Sequence, residues 1–159
     1  MRRSFADIWE STYWDGVLQL EASEKKLERM LLDDTNVTKQ DIFNQISEIV
    51  LQISIKRKDL EKNFLESESS SKVLELDKCL YISECLFDKT KEYDKSLKMI
   101  EKDDEGNLIR FSNEDFTYVE LVNELYNNKI ILAKIYSKVQ KELKELVAPI
   151  MDMGNRELI

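Results

Sequence analysis

The sequence predicts an all-α fold, an elongated antiparallel bundle or hairpin array of about four long helices with coiled-coil-like seams. Three observations predict it. Apolar residues recur with helical period along almost all of the 159 residues. The chain contains only 3 glycines and 1 proline, so few residues interrupt a helix. Polar, turn-forming clusters separate the periodic stretches. We divide the chain into one helical domain, 1–149, and a flexible C-terminal tail, 150–159.

The first helix is predicted over 4–32. Along it, Trp9, Tyr13, Leu20, Leu27 and Met30 are separated by multiples of the steps of three and four residues that define one side of a helix. The pattern ends at the polar cluster 33–36, which favours a turn.

The second helix is predicted over 39–66. Thr38, with Asp41 three residues later, has the pattern of a capping box and marks the helix start. Basic residues at 56–58 are interpreted as part of a solvent-exposed face, because acidic residues follow them immediately. The serine-rich run 67–71 is predicted to be a polar hinge, and the third helix to span 72–101.

A turn at 102–112 and a fourth helix at 113–147 complete the domain. Ser112 to Asp115 is a second capping-box candidate, and Pro149 is predicted to end the helix. The stretch 129–136 is apolar on nearly all sides, with Ile130 and Ile131 outside the main apolar face. Every helix of a four-helix bundle has an exposed side, with no helix at its centre. This stretch therefore predicts contact with a further protein chain.

The composition excludes several classes of function. The chain has no histidine, which removes the commonest general base and transition-metal ligand. Three scattered glycines cannot build a phosphate-binding loop. The net charge of −8 argues against nucleic acid as the main ligand. The acidic turn 103–107 lacks the ligand spacing of a calcium loop. We therefore expect no catalytic residue, cofactor or metal.

The sequence also bears on location. No run of roughly 18 apolar residues is present, and no apolar segment follows the basic N-terminus, so we expect neither a membrane span nor a signal peptide. The only two cysteines, Cys79 and Cys85, lie on different sides of a predicted helix and are expected to be reduced. These features favour an intracellular protein of the cytoplasm or nucleus.

One aromatic residue of the first helix lies off its main apolar face. Trp14 is rotated by roughly 140° from Trp9 around the helix and is joined there by Leu18. Glu10 and Glu21 lie on the same side. An apolar pair with a polar rim is typical of a partner-binding hot spot. The alternative is that a neighbouring helix of the same chain buries both residues.

These observations predict a non-enzymatic helical adaptor or scaffold subunit within a multiprotein complex. Its partners would be other protein subunits, or a second copy of the chain. The predicted partner-binding residues are Trp14, Leu18, Ile130 and Ile131.

Two alternatives remain at the level of sequence. One is a dedicated chaperone or inhibitor of a single client protein. The other is a helical enzyme or ligand carrier with a site near Lys129, which interrupts an apolar seam between Tyr126 and Tyr136. A lysine at a seam position can also serve to set helix register.

Overall fold

The structure, a computed structural model, describes the backbone at 5–33, 36–66 and 73–157, and side chains at 19–33, 36–66 and 73–148. The predicted all-α fold is confirmed: helices pack against one another, and the described residues contain no strand. The elements in chain order are α1 (Phe5–Leu32), α2 (Lys39–Leu60), a π-helical segment (Glu61–Leu65), α3 (Val73–Ile100) and α4 (Tyr118–Glu157).

Helix α2 lies at the centre of the described fold. It packs against α1, α3 and α4, whereas the most extensive pairing is between α3 and α4. The expectation that no helix would be central was therefore wrong, because α1 packs chiefly onto α2 instead of completing a square bundle. The core consists of the periodic apolar positions, and its largest fully buried members include Phe43, Leu20, Ile46, Ile49, Ile53, Leu76, Leu97, Leu121, Leu125, Leu132 and Ile135.

The capping box at the start of α2 is confirmed. The backbone N–H of Asp41 donates to Thr38 Oγ1 at 3.1 Å, and the backbone N–H of Thr38 donates to Asp41 Oδ2 at 3.0 Å. These bonds satisfy donors that the first helical turn leaves free. The hydrogen bond from the backbone N–H of Thr38, with a further contribution from the Thr38 side chain, also lowers the pKa of the Asp41 carboxyl, because it favours the ionised form.

The end of α2 widens into the π-helical segment. The backbone N–H of Glu66 donates to the carbonyl oxygen of Glu61 at 2.9 Å, across five residues. Lys138 of α4 donates from Nζ to the carbonyl oxygen of Leu65 at 2.9 Å, and Phe64 is buried. The segment is thus attached to α4 at its end. The predicted hinge 67–71 that follows lies outside the described residues.

The connection between α3 and α4 is folded tightly onto α2. Lys102 and Leu108 form an antiparallel bridge, and Gly106 closes the turn with φ 85°, a conformation that favours glycine. Phe111 is buried and stacks on Phe43 of α2, with 5.1 Å between ring centroids. This stacking ties the connection to the bundle core.

Helix α4 begins later than predicted, at Tyr118 instead of 113. Asn113 Oδ1 accepts the backbone N–H groups of Asp115 and Phe116, so the second capping-box candidate forms a turn. The helix is capped by Thr117, whose Oγ1 accepts the N–H of Glu120 at 3.2 Å. The pattern Thr-x-x-Glu at 117–120 was the overlooked signal.

The end of α4 was also predicted wrongly, since the helix passes through Pro149 and continues to Glu157. A proline removes one backbone donor and crowds the preceding turn, which kinks a helix without forbidding the turns on either side. Residues such as Leu146, Met151 and Met153 favour helix around it. Most of the predicted tail, 150–159, therefore has helical backbone.

Candidate functional site

The outward side of α4 carries three exposed apolar residues that we call the α4 outer stripe: Val119, Tyr126 and Ile130. Their side chains are 65%, 65% and 37% exposed. Spacings of seven and four residues place them on one side of the helix. Single exposed apolar residues are normal on soluble proteins, but a run of them along one helix is a candidate contact surface.

A groove of about 380 Å³ between α3 and α4 continues this surface. Ala133, one helical turn after Ile130, lies on its wall, and the half-buried rings of Phe87 and Tyr136 line it. The remaining lining residues are Ser83, Glu84, Asp88, Leu132 and Ser137. The stripe and groove together form a largely apolar face, and Glu84 and Asp88 are the acidic residues that line the groove.

Lys129 lies on the α4 seam beside α3, and its charge is paired. Lys129 Nζ lies 3.1 Å from Asp94 Oδ2, an atom that also lies 3.5 Å from Lys98 Nζ. About 10 Å along the helix axis separates Lys129 from Tyr136, and Tyr126 projects outward. The ion pair fixes the position of α4 relative to α3, as expected of a charged seam residue. A ligand site at Lys129 stays a prediction.

The structure separates the two predicted isoleucines. Ile130 belongs to the exposed α4 outer stripe, whereas Ile131 is partly buried against the core, because consecutive helical residues point about 100° apart. Trp14 and Leu18 belong to α1, but their side chains lie outside the described residues. Of the four predicted partner-binding residues, Ile130 is thus the one with a described exposed side chain.

A buried polar cluster that was not predicted from the sequence lies between α2 and α4. We call it the Arg57 cluster: Ser54, Arg57, Glu61, Glu124 and Asn128. Arg57 donates from Nε to Asn128 Oδ1 at 2.9 Å, from Nη1 to Glu61 Oε2 at 3.0 Å and from Nη2 to Glu124 Oε1 at 3.3 Å. Ser54 Oγ donates to Glu124 Oε1 at 2.8 Å and accepts from Asn128 Nδ2 at 2.9 Å.

The interpretation of 56–58 as a solvent-exposed face was therefore wrong for Arg57, which is only 5% exposed. A signal was present in the spacing, since 57 continues the sequence of core positions Val50, Ile53, Leu60 and Phe64. Arginine can occupy such a position because its planar group donates several hydrogen bonds in fixed directions. The cluster fixes the contact between α2 and α4.

The described residues offer little basis for a metal site, a reactive thiol or a membrane-spanning helix. No group of three or more His, Cys, Asp or Glu residues among them is placed to hold a metal ion. Burial raises the pKa of the Cys79 thiol to about 12, with a further contribution from nearby Glu142, so this thiol is a poor nucleophile. No described helix is both long and apolar enough to cross a membrane.

Comparison with protein-family models, curated proteins and solved structures gives no match for this chain. The functional interpretation therefore rests on the surfaces described above.

Proposed function

We propose that this protein is a non-enzymatic helical adaptor that binds another protein subunit through the outward face of α3 and α4. The observation that carries the proposal is the α4 outer stripe and its continuation into the α3–α4 groove. A partner covering this face would bury Tyr126 and Ile130 and fill the space between Phe87 and Tyr136. Tyrosine and other aromatic residues supply much of the binding energy at protein interfaces.

The internal bonding of the bundle supports a scaffold role. The Arg57 cluster and the ion pair of Lys129 with Asp94 hold α4 against both α2 and α3. A face built on packed helices changes little in shape when a partner binds, so less ordering is required on association.

The proposal is tested by placing a photo-crosslinking amino acid at 126 in the full chain and, as a control, at 55. Ile55 is also an exposed apolar residue, 59% accessible, but belongs to α2. We expect position 126 to capture a defined protein in cells and position 55 to capture none of it. Equal capture at both positions would contradict the proposal.

A pair of charge-introducing variants provides the energetic test. Tyr126→Lys with Ile130→Lys should abolish co-purification of the crosslinked protein, because both lysines would be desolvated in the interface. The matched control combines Ile55→Lys with Leu74→Lys, which adds the same charge at other exposed apolar positions. Unchanged helicity in both variants shows that the loss reflects binding and not folding.

The same experiment separates the remaining alternatives. A stable complex with several subunits favours an adaptor, whereas a single client that precipitates without this chain favours a chaperone or inhibitor. Trp14 and Leu18 remain a second predicted contact, tested by the double variant Trp14→Ala with Leu18→Ala. Sedimentation of the purified chain distinguishes a different partner from a second copy.

A further inference from the structure

A second groove, of about 420 Å³, lies between α1 and α3, on the other side of α3 from the α3–α4 groove. Contact between these helices includes the ion pair of Glu24 with Lys89. Within the described residues, α1 packs more extensively against α2 than against α3, which leaves a channel between α1 and α3. From Glu21 to Leu31 the channel extends roughly 15 Å along α1.

The walls of this groove are acidic. Glu21, Glu24 and Glu28 line it from α1 and Glu92 lines it from α3, while Lys25 is its one basic lining residue. Glu24 is paired with Lys89, but Glu21, Glu28 and Glu92 form no ion pair within the described part of the chain. Carboxylates that share a groove repel one another, so positive charge entering it would be attracted.

The groove also has apolar contact area. Leu31, 44% exposed, lines its far end, and Met99, 78% exposed, follows the lining residue Ser96 by one turn of α3. The buried Leu27 and Tyr93 form its floor. Exposed methionine adapts well to the shape of a bound apolar side chain.

We infer that the α1–α3 groove is a docking surface for a basic amphipathic helix of a partner protein. Lysine or arginine side chains of that helix face Glu21, Glu28 and Glu92, and its apolar side contacts Leu31 and Met99. Charge complementarity selects this occupant, since an acidic or neutral helix would leave the three glutamates unpaired in a closed interface. The inference does not depend on the α4 outer stripe.

The test titrates the full chain with a labelled synthetic peptide of about 14 residues, long enough for roughly 21 Å of helix. Leucines at helical spacing form one side of the peptide, and lysines flank them. One control peptide carries glutamates in place of the lysines, and another has the basic composition in scrambled order. We expect micromolar binding of the basic amphipathic peptide only, weakened by added salt.

The matched protein variants locate the binding. Glu28→Lys with Glu92→Lys should lower the affinity for the basic amphipathic peptide by at least about tenfold, because two attractive contacts become repulsive. Glu48→Lys with Glu145→Lys changes the net charge equally at exposed positions outside the groove. This control should lower the affinity for the peptide by less than about twofold. The neutral pair Glu28→Gln with Glu92→Gln should give an intermediate loss, which guards against a folding defect.

Several results would overturn the inference. These are equal losses of peptide affinity in the groove and control variants, equally tight binding of the scrambled or acidic peptide, and no binding of the basic amphipathic peptide. A dimer of the chain that dissociates on Glu28→Lys with Glu92→Lys would identify a second copy as the occupant instead. The variant Tyr126→Lys with Ile130→Lys should bind the peptide unchanged, so failure here is distinguishable from failure of the proposed function.

Discussion

Two polar clusters lie inside helix interfaces in the described part of the bundle, and they differ in how completely their hydrogen bonds are satisfied. In the Arg57 cluster, between α2 and α4, the contacts form a closed set. Between α1 and α2, Gln45 Nε2 donates to the Ser23 carbonyl oxygen and Gln52 Nε2 donates to Ser23 Oγ. Gln52 Oε1 is buried and accepts no hydrogen bond from the described part of the chain.

This difference predicts that α4 and α1 are attached to α2 with different strength. A closed polar cluster resists sliding, because any shift of register leaves several buried groups unpaired. An unsatisfied amide oxygen instead lowers the stability of the interface that contains it. We therefore expect α1 to separate from the bundle more readily than α4, and replacements in the two clusters to have opposite effects.

The largest effect is expected from Arg57→Met. The change leaves Glu61 and Glu124, each about three-quarters buried, and Asn128 without their shared donor. We expect the free energy of unfolding to fall by about 3 kcal/mol, measured by urea denaturation. Lys58→Met, at the exposed neighbouring position, should change it by less than about 0.5 kcal/mol. Equal stability of the two variants would show that the Arg57 cluster contributes nothing.

The next largest effect is expected from Asn128→Leu, which should lower the free energy of unfolding by about 2 kcal/mol. Leucine preserves the volume but leaves Arg57 Nε without its acceptor. The matched control is Asn127→Leu, since Asn127 is exposed. A double-mutant cycle with Ser54→Ala should give a coupling energy above about 0.5 kcal/mol, because Asn128 Nδ2 donates to Ser54. Additive losses would argue against a cooperative cluster.

The capping box of α2 is exposed, so its contribution to the free energy of unfolding can be compared with those of the two buried clusters. Thr38→Ala should cost about 1 kcal/mol of unfolding free energy. Because the pKa of Asp41 in the folded state lies below its ordinary value of 3.8, the stabilisation from its ionised form is present above that value. It is lost as the pH falls through the lower, folded-state pKa. Thr38→Ala keeps the backbone N–H that contributes most to the lowered pKa and removes only the side-chain contribution, so the decrease in stability under acid, followed by thermal unfolding, should be slightly shallower in the variant.

The smallest effect is expected from Gln52→Leu, and its sign sharpens the comparison. The replacement removes the hydrogen bond to Ser23 together with the unsatisfied Oε1 atom. We expect the free energy of unfolding to lie between the wild-type value and about 1 kcal/mol above it. Hydrogen exchange should show stronger protection of α1 amides around Ser23 in the variant. A loss above about 1 kcal/mol would show that Gln52 contributes to the attachment of α1.

Much of the fold could be predicted from local sequence. The bounds of α1 and α3 and the start of α2 differ from the predicted positions by no more than one residue. These elements follow from helical periodicity and from the Thr38 capping box, which involve only residues close in the chain. The start of α4 was missed because Asn113 and Thr117 both favour a helix start, and Asn113 forms a turn held against Asn44 and Ser47 of α2.

The candidate surfaces were less predictable. The position of Ile130 off the main apolar face could be predicted from the sequence, but not that Val119 and Tyr126 would join it in one stripe. The α1–α3 groove combines carboxylates that are more than sixty residues apart in the chain. Its existence depends on α1 packing against α2 more closely than against α3. No local sequence pattern predicts which pair of helices packs more closely.

By itself, the sequence determined the all-α class, the four helices and most of their core positions, because helical period and capping depend on neighbouring residues. The tertiary structure alone decided that α2 is central, that Arg57 is buried and that the described part of α3 has a groove on each side. Burial of a charged residue depends on the partners that distant helices bring to it. For Arg57 those partners are Asn128 and Glu124, more than sixty residues away in the chain.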